Sequence, residues 1–253
     1  MSAMPVKHLL ILGGTTEARE LARRVSLMME KKVRVTTSLA GRRNAAPSLA
    51  GEVRTGGFGG IQGMKDYLGE AAVDLLVDAT HPFSAIISDH ANAAAEATGV
   101  PRLQLLRPLW QLPPTAEWIE VDDLTDAARD LPRFAKRVFL TTGVRGLEAF
   151  SGLDDIWFLV RLMDPPAEPP PLAQLELITG KPPYSFEDER AILADHNIDT
   201  LVTKNSGGDG TEAKVFAAAE AGVKIILIRR PPPEPGPVVE TVDDAFAWIE
   251  SQV

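Results

Sequence analysis

The stretch HLLILGGTT at residues 8–16 decides the fold class of this chain. The apolar run HLLIL is short and continuous, which is typical of a strand buried within a parallel sheet. Two glycines end the run, and apolar residues then recur at helical spacing, which predicts an amphipathic helix from Thr15 to about residue 30. A strand, a glycine turn and a helix in this order are typical of the opening of a parallel α/β sheet.

Strands and helices continue to alternate after this opening. Short apolar runs predict strands at Val33–Thr37, Leu75–Asp78 and Leu103–Leu106, and an alanine-rich segment predicts a helix at Phe83–Thr98. Because strands that alternate with helices pair in parallel through right-handed crossovers, the sequence predicts a doubly wound α/β fold.

The chain also repeats itself weakly. The segment Ala94–Val100 and the strand after it have a counterpart at Ala218–Val223, and Asp123 before one helix matches Asp243 before another. Such matches in the same order predict two similar α/β halves with parallel sheets, related by a weak internal duplication. The alternative is that alanine-rich helices followed by glycine and a strand resemble each other by chance.

The two halves are expected to form two domains, 1–134 and 135–253, with a boundary near Pro132–Lys136. A second irregular stretch, Asp164–Pro183, is dense in proline, which excludes a regular helix or a central strand. Because this stretch lies inside the second half, we expect a long loop there, either a lid over a site or a disordered segment.

The composition is that of an ordinary globular protein, with 45% hydrophobic and 24% charged residues among 253. The absence of cysteine excludes a disulfide scaffold and thiol catalysis, and the four histidines show no metal-ligand spacing, so we expect no metal. A net charge of −9 argues against a nucleic-acid partner. Because no apolar run approaches the ~18 residues of a membrane span and no signal-peptide pattern is visible, we expect a cytoplasmic protein without a membrane partner.

The Gly13-Gly14 turn is a candidate phosphate site. Glycine lets the backbone approach a phosphate closely, and the N-terminus of the following helix favours an anion. Glu17 in the first helical turn would repel a pyrophosphate unless its carboxylate points away. The alternative interpretation is a tight turn in which Thr15 caps the helix.

The end of the second strand carries no acidic residue. Enzymes that use NAD typically place Asp or Glu there for the ribose 2′-hydroxyl, whereas this chain has Ser38, Arg42 and Arg43. A guanidinium suits a 2′-phosphate by charge and by its fork geometry, so the pattern favours NADP over NAD. The alternative is a solvated basic turn.

Two further segments, Gly56–Gly60 and Asp78–Phe83, follow predicted strands, and ligands of open α/β sheets bind at such strand ends. Pro82 suits the first position of the next helix, so His81 or Thr80 has the alternative role of a helix cap.

In the second half, Lys204 at a strand end precedes amide, hydroxyl and glycine residues that suit an anion cradle. Several arginines at predicted strand ends would together suit a substrate with several carboxylates. These arginines are Arg107, Arg145, Arg161, Arg229 and Arg230.

Seven motifs in this order resemble the precorrin-6A reductase family of cobalamin biosynthesis, over nearly the whole chain. They are ILGGTTEAREL at 11–21, TSLAGR at 37–42, GGFG at 56–59, DATHPF at 78–83, RPLW at 107–110, TKNSGG at 203–208 and RRP at 229–231. The resemblance implies two Rossmann-like domains, the first binding NADPH and the second binding a tetrapyrrole. It also implies reduction of one macrocycle double bond of precorrin-6A, with hydride to C19 and a proton to C18, which gives precorrin-6B.

The resemblance and the patterns together assign site residues. The expected NADPH-binding residues are Gly13, Gly14, Thr15, Thr16, Ser38, Arg42, Gly56, Gly57, Phe58, Ala79, Thr80 and His81. The expected substrate-binding residues are Arg107, Arg145, Arg161, Tyr184, Ser185, Lys204, Asn205, Ser206 and Arg230. The proton donor is Lys204, Tyr184 or water.

Other functions stay open at this point. The overall likeness favours the metal-free branch of the family over the cobalt-loaded branch, but no single motif decides between them. An NADP-dependent oxidoreductase of another polycarboxylate and a non-catalytic dinucleotide sensor are the alternatives. Transient hand-off of the product to the next pathway enzyme is a further expectation about partners.

Overall fold

The structure is a computed structural model that describes residues 5–41 and 49–253. Its strands are β1 (Lys7–Leu12), β2 (Val33–Leu39), β3 (Glu52–Thr55), β4 (Leu75–Asp78), β5 (Arg102–Leu105), β6 (Trp118–Val121), β7 (Arg137–Leu140), β8 (Trp157–Leu162), β9 (Leu175–Thr179), β10 (Thr200–Lys204), β11 (Lys224–Ile228) and β12 (Val238–Val239). Its α-helices are α1 (Thr16–Met28), α2 (Gly60–Glu70), α3 (Ala85–Thr98), α4 (Leu124–Asp130), α5 (Phe186–Asp195), α6 (Ala213–Glu220) and α7 (Val242–Ser251). The strands form two six-stranded sheets in which all neighbours are parallel.

The first compact unit contains the described residues up to Arg107 together with Pro231–Val253. Its sheet has the strand order β12-β5-β4-β1-β2-β3. Leu9 and Ile11 of β1 pack on one face with α1 and α7, and Leu10 packs on the other face with α2 and α3. The run in β1 is continuously apolar because both faces of this strand are buried.

The second compact unit is Pro108–Arg230, and its sheet has the order β6-β11-β10-β7-β8-β9. Phe139 of β7 and Leu201 of β10 are fully buried and form a core with α5 and α6. The predicted fold class, two parallel α/β domains, is therefore confirmed.

The two sheets share one strand order but exchange their sixth strands. Strand β6 follows β5 in the chain and pairs with β11 of the second sheet, whereas β12 follows β11 and pairs with β5 of the first. The chain therefore leaves the first unit after Arg107 and returns to it at Pro231, in contrast to the expected single boundary near residue 134. A parallel edge strand makes the same backbone hydrogen bonds on either sheet, so its local sequence does not indicate which sheet it joins.

Two local predictions are wrong. The helix expected from Phe83 begins at Ala85, because the Ser84 amide donates to the His81 carbonyl oxygen (2.7 Å) and closes a turn before it. Pro82 is therefore not the first helical residue. The expected continuous loop 164–183 contains β9, which forms the edge of the second sheet between two proline clusters. Within the part of the chain that the structure describes, no helix is long and apolar enough to span a bilayer.

Candidate functional site

The first unit contains an open cleft of about 250 Å³ where strands β1, β2 and β4 end. The helices that follow β1 and β4, α1 and α3, pack on opposite faces of the sheet, which makes this a topological switch point. The predicted cofactor-binding residues that line the cleft are Gly13, Gly14, Ser38, Gly56, Gly57, Phe58, Thr80 and His81.

The glycine turn between β1 and α1 has a close neighbour. A Cβ atom on Gly13 would lie 2.8 Å from the Thr37 methyl group on β2, and Gly14 has a φ of +119°. Larger side chains at either position would therefore push this wall of the cleft or strain the backbone. The turn leaves the N-terminus of α1 beside the cleft, where backbone N–H groups favour an anion.

Thr15 caps α1, as one of the two interpretations of the turn predicted. Its Oγ1 accepts from the Ala18 amide (3.1 Å) and donates to the Ala79 carbonyl oxygen (2.7 Å), which ties the glycine turn to the end of β4. Thr16 is the exposed first residue of α1, and Ala79 is 1% exposed. The cap does not conflict with a phosphate site, because Thr15 satisfies only one of the orphan amides of the first turn.

The Glu17 carboxylate forms an ion pair with Arg107. Arg107, which follows β5, lies 3.2 Å from the Glu17 carboxylate, and the two side chains are 15% and 23% exposed. Arg107 belongs to the first unit, so the structure places this predicted substrate ligand beside the N-terminus of α1. The pair neutralises the carboxylate that would otherwise repel a pyrophosphate.

The segment after β4 is held by its own side chains. The Asp78 carboxylate accepts from both the Thr80 amide (3.1 Å) and the Thr80 hydroxyl (2.7 Å). His81 Nδ1 accepts from the Phe83 amide (3.2 Å). These bonds fix Thr80 and His81 at the cleft, and the N-cap of α3 is Ser84, so neither residue has the alternative role of a helix cap.

Of the two residues predicted to bind the 2′-phosphate, the structure describes Ser38 but not Arg42. Ser38 is the last residue but one of β2, is 6% exposed and lines the cleft. Arg42 and Arg43 lie outside the described residues. Sequence reasoning missed Arg54 on β3, which donates to Ser38 Oγ (3.2 Å) and to the carbonyl oxygens of the Gly56-Gly57 turn. No sequence signal identifies Arg54, because its contact with Ser38 depends on the register of β2 and β3.

In the second unit, the turn after β10 is built on backbone contacts. Arg230 donates to the carbonyl oxygens of Asn205 (3.3 Å) and Ser206 (2.8 Å). Gly207 has a φ of +65°, and a Cβ atom there would overlap the Pro108 carbonyl oxygen. The structure thus gives Arg230 a role in shaping the turn that follows Lys204.

Lys204 has an altered proton affinity. Burial lowers the pKa of its ammonium group, and the positive charge of Arg145 lowers it further. Arg145 is exposed in the loop after β7, the strand that pairs with β10. The structure therefore brings these two predicted cations to the same edge of the second sheet.

Arg161 does not lie open to a substrate. Its Nη2 atom is 2.8 Å from Glu189 Oε1, and the two side chains are 6% and 0% exposed. The guanidinium also covers the Tyr184 ring at 3.9 Å. A substrate carboxylate would have to displace Glu189, so this placement favours a structural role over the expected substrate contact. A buried Glu in a charged helix was not recognisable from the sequence.

Tyr184 and Ser185 also have local partners. The Tyr184 hydroxyl donates to the Gly180 carbonyl oxygen (2.6 Å), and burial raises the pKa of that hydroxyl. Ser185 caps α5 by accepting from the Asp188 amide (3.0 Å). Both residues thus hold the chain that leads from β9 into α5.

The fold and this cleft define a protein of the Rossmann-like α/β class. A family model described as "Precorrin-6x reductase CbiJ/CobK" matches residues 8–250. The chain belongs to this family, and it is a reductase of cobalamin biosynthesis.

Known proteins resemble the chain over nearly its full length. A precorrin-6A reductase from Rhodococcus erythropolis is 46% identical over 246 residues, which are 96% of this chain and 97% of that protein. A solved structure titled "CobK precorrin-6A reductase" superposes with a TM-score of 0.90 at 36% identity, covering 98% of this chain and 97% of the other. A cobalt-precorrin-6A reductase from Priestia megaterium is 29% identical over 96% of this chain and 98% of its own.

Proposed function

We propose that this enzyme uses NADPH to reduce one double bond of the precorrin-6A macrocycle, with hydride to C19 and a proton to C18, and forms precorrin-6B. The observation that carries the proposal is the glycine-lined cleft at the β1–β4 switch point in a chain of a reductase family. Full-length relatives named precorrin-6A reductase support the substrate. Greater identity to the Rhodococcus erythropolis relative than to the cobalt-precorrin relative supports the metal-free ring.

The cleft of the first unit fits a dinucleotide. Its glycines leave backbone groups open to a pyrophosphate and a ribose, and the N-terminus of α1 adds a favourable dipole. Pairing with Arg107 removes the repulsion that Glu17 would exert on the phosphates. When bound, NADPH supplies the hydride, while these residues bind and orient it.

The end of β2 fits a 2′-phosphate better than a 2′-hydroxyl. Within the described residues, the cleft lining contains no carboxylate, and Ser38 supplies a hydroxyl there. We propose Arg42 as an additional cation for this phosphate. Replacement of Arg42 by Ala should then reduce the preference for NADPH over NADH.

The second unit fits a flat ring that carries carboxylates at its rim. Val144 and Met163 follow the neighbouring strands β7 and β8 and are 54% and 49% exposed. Such exposed apolar side chains suit the face of a macrocycle, while Arg145 and Lys204 suit its carboxylates. We therefore propose the strand ends of this unit as the tetrapyrrole site, with the Asn205-Ser206 turn as part of it.

Lys204 is a better proton donor than Tyr184. Burial and Arg145 lower the pKa of Lys204, so its ammonium releases a proton more readily than an ordinary lysine. Burial raises the pKa of Tyr184, and its hydroxyl already donates to the Gly180 carbonyl oxygen. We propose that Lys204 delivers the proton and that Tyr184 serves to hold its loop.

The test is NADPH consumption by the purified protein with precorrin-6A, with NADH and cobalt-precorrin-6A in parallel. We expect loss of NADPH with a matching change in the absorption of the ring, and slow reaction with NADH. Rapid reaction only with the cobalt-loaded ring would move the enzyme to the other branch. Tight NADPH binding without turnover of either ring would contradict the catalytic proposal.

Variants of the second unit test the site assignment. Arg145→Ala should raise KM for the tetrapyrrole more than KM for NADPH, and Lys204→Gln should lower kcat as well. Arg190→Ala is the matched control. Arg190 of α5 is 65% exposed, and its ion pair with Glu220 is weak because the two charged groups are 3.8 Å apart at the surface. A rise in KM for NADPH alone would contradict the assignment.

A further inference from the structure

Arg54 of β3 is a cation next to the β2 end of the cleft, where it contacts Ser38. In the register of the first sheet, Arg54 of β3 pairs with Ser38 of β2. Its Nη1 atom donates to Ser38 Oγ (3.2 Å) and to the Gly56 carbonyl oxygen (2.6 Å), and its Nη2 atom donates to the Gly57 carbonyl oxygen (2.8 Å). One guanidinium thus connects a side chain and a turn that both line the cleft.

Aromatic contacts fix the plane of this guanidinium. The Arg54 guanidinium carbon lies 3.8 Å from the centre of the Phe58 ring and 5.0 Å from that of Tyr67. The two rings pack edge to face with centres 5.2 Å apart. Because the guanidinium is planar and held on its face, its donors keep one direction.

The direction of hydrogen bonding decides what Ser38 offers to a ligand. Arginine has donors only, so Ser38 Oγ must accept from Arg54. The hydroxyl hydrogen of Ser38 is then available for donation into the cleft that this residue lines. A ribose 2′-hydroxyl recognised by an Asp or Glu needs an acceptor, whereas a 2′-phosphate offers only acceptors at its ionised oxygens.

We infer that Arg54 is a positioning residue that orients the Ser38 hydroxyl as a donor and thereby selects a 2′-phosphorylated dinucleotide. This inference rests on the proposed NADPH dependence. Arg54 acts through Ser38 and the Gly56-Gly57 turn. Among the described residues, the cleft lining contains no carboxylate that would offset the positive charge of Arg54. The β2 end of the cleft thus favours a phosphate by both hydrogen bonding and charge.

The test measures binding of two fragments, adenosine 2′,5′-bisphosphate and 5′-AMP, by calorimetry with the full chain. We expect the wild type to prefer the bisphosphate, and Ser38→Ala and Arg54→Met each to lower that preference at least tenfold, as for a lost hydrogen bond to a charged group (about 1.5 kcal/mol or more). In the double variant the losses should add only in part, because Arg54→Met removes the orientation of the Ser38 hydroxyl that Ser38→Ala removes outright, while the charge of Arg54 acts independently of Ser38. Arg54→Lys should retain part of the preference, since it keeps the charge but not the fork.

Controls separate binding from folding. Arg23→Met is the matched control, because Arg23 pairs with Glu20 on the surface of α1 and should leave the preference unchanged. Thermal unfolding identifies any variant that fails to fold, and Ser38→Ala and Arg54→Lys then carry the test.

The outcomes distinguish the two proposals. A preference retained in Arg54→Met, or losses that add fully in the double variant, would overturn the role of Arg54 and leave NADPH dependence intact. Equal binding of the two fragments to the wild type would overturn both.

Discussion

Replacing Glu189 by Gln removes the partner of a buried guanidinium. We expect this change to lower the free energy of unfolding by about 3–5 kcal/mol, the usual cost of leaving one buried charge without its partner. The contact between Arg161 Nη2 and Glu189 Oε1 is 2.8 Å, and the side chains are 6% and 0% exposed, so water cannot replace the lost charge. Both carboxylate oxygens lack a well-aligned hydrogen bond within the described residues, so charge attraction holds the pair.

A double-variant cycle isolates this charge term. Arg161→Met should cost about as much as Glu189→Gln, because it leaves a buried carboxylate unpaired. The combination of Arg161→Met with Glu189→Gln should cost less than the sum of the two single variants, because no buried charge remains without its partner.

Urea unfolding followed by tryptophan fluorescence measures the cycle. Trp110, Trp118 and Trp157 lie in the second unit, so the signal reports mainly on the unit that contains the pair. Arg190→Met is the control on the same helix, and its exposed pair with Glu220 should change stability by no more than about 0.5 kcal/mol.

One result would refute the reasoning. If both single variants cost less than about 1 kcal/mol and Arg161→Met raises KM for the tetrapyrrole, Arg161 binds substrate, as its position at a strand end suggested. The buried pair would then be a resting arrangement that the substrate replaces.

Three further predictions concern the turns of the two units. Gly207→Ala should lower kcat/KM for the tetrapyrrole at unchanged NADPH affinity, because the added Cβ overlaps the Pro108 carbonyl oxygen, and a wild-type rate would contradict this. Thr15→Ala should cost about 1 kcal/mol in urea unfolding through loss of the α1 cap and the bond to Ala79, whereas Thr15→Ser should restore it. Lys204→Met should raise Tm at neutral pH, because the lowered pKa means that folding opposes the charged form. That gain should shrink as pH approaches the unfolded pKa of lysine, about 10.4, and a gain independent of pH would contradict it.

Much of the first unit was predictable because its signals are local. The run HLLIL, the two glycines and the helical spacing after them are contiguous, and they predict the strand, the turn and the cleft beside α1. Parallel strands that end in one direction also place Ser38, the Gly56-Gly57 turn and Thr80 at one edge. The predicted lining thus follows from strand order alone.

Ion pairs and loops were less predictable. Arg107 follows β5 and Arg161 lies next to the end of β8, as expected, but their partners Glu17 and Glu189 are set by packing and not by spacing. An arginine at a strand end indicates a ligand site only if it forms no ion pair with a carboxylate of the protein itself. The edge strand β9 was not predicted, because the prolines on either side of it indicated a continuous loop.

The sequence by itself determined two similar parallel α/β halves and a glycine turn at the first strand. Only the tertiary structure decided that β6 and β12 exchange sheets, that Glu189 neutralises Arg161 and that Arg54 bonds to Ser38. The physical reason is the same in each case. Strand and helix patterns arise from interactions within a few residues, whereas sheet membership and charge pairing depend on which distant segments the packed core brings into contact.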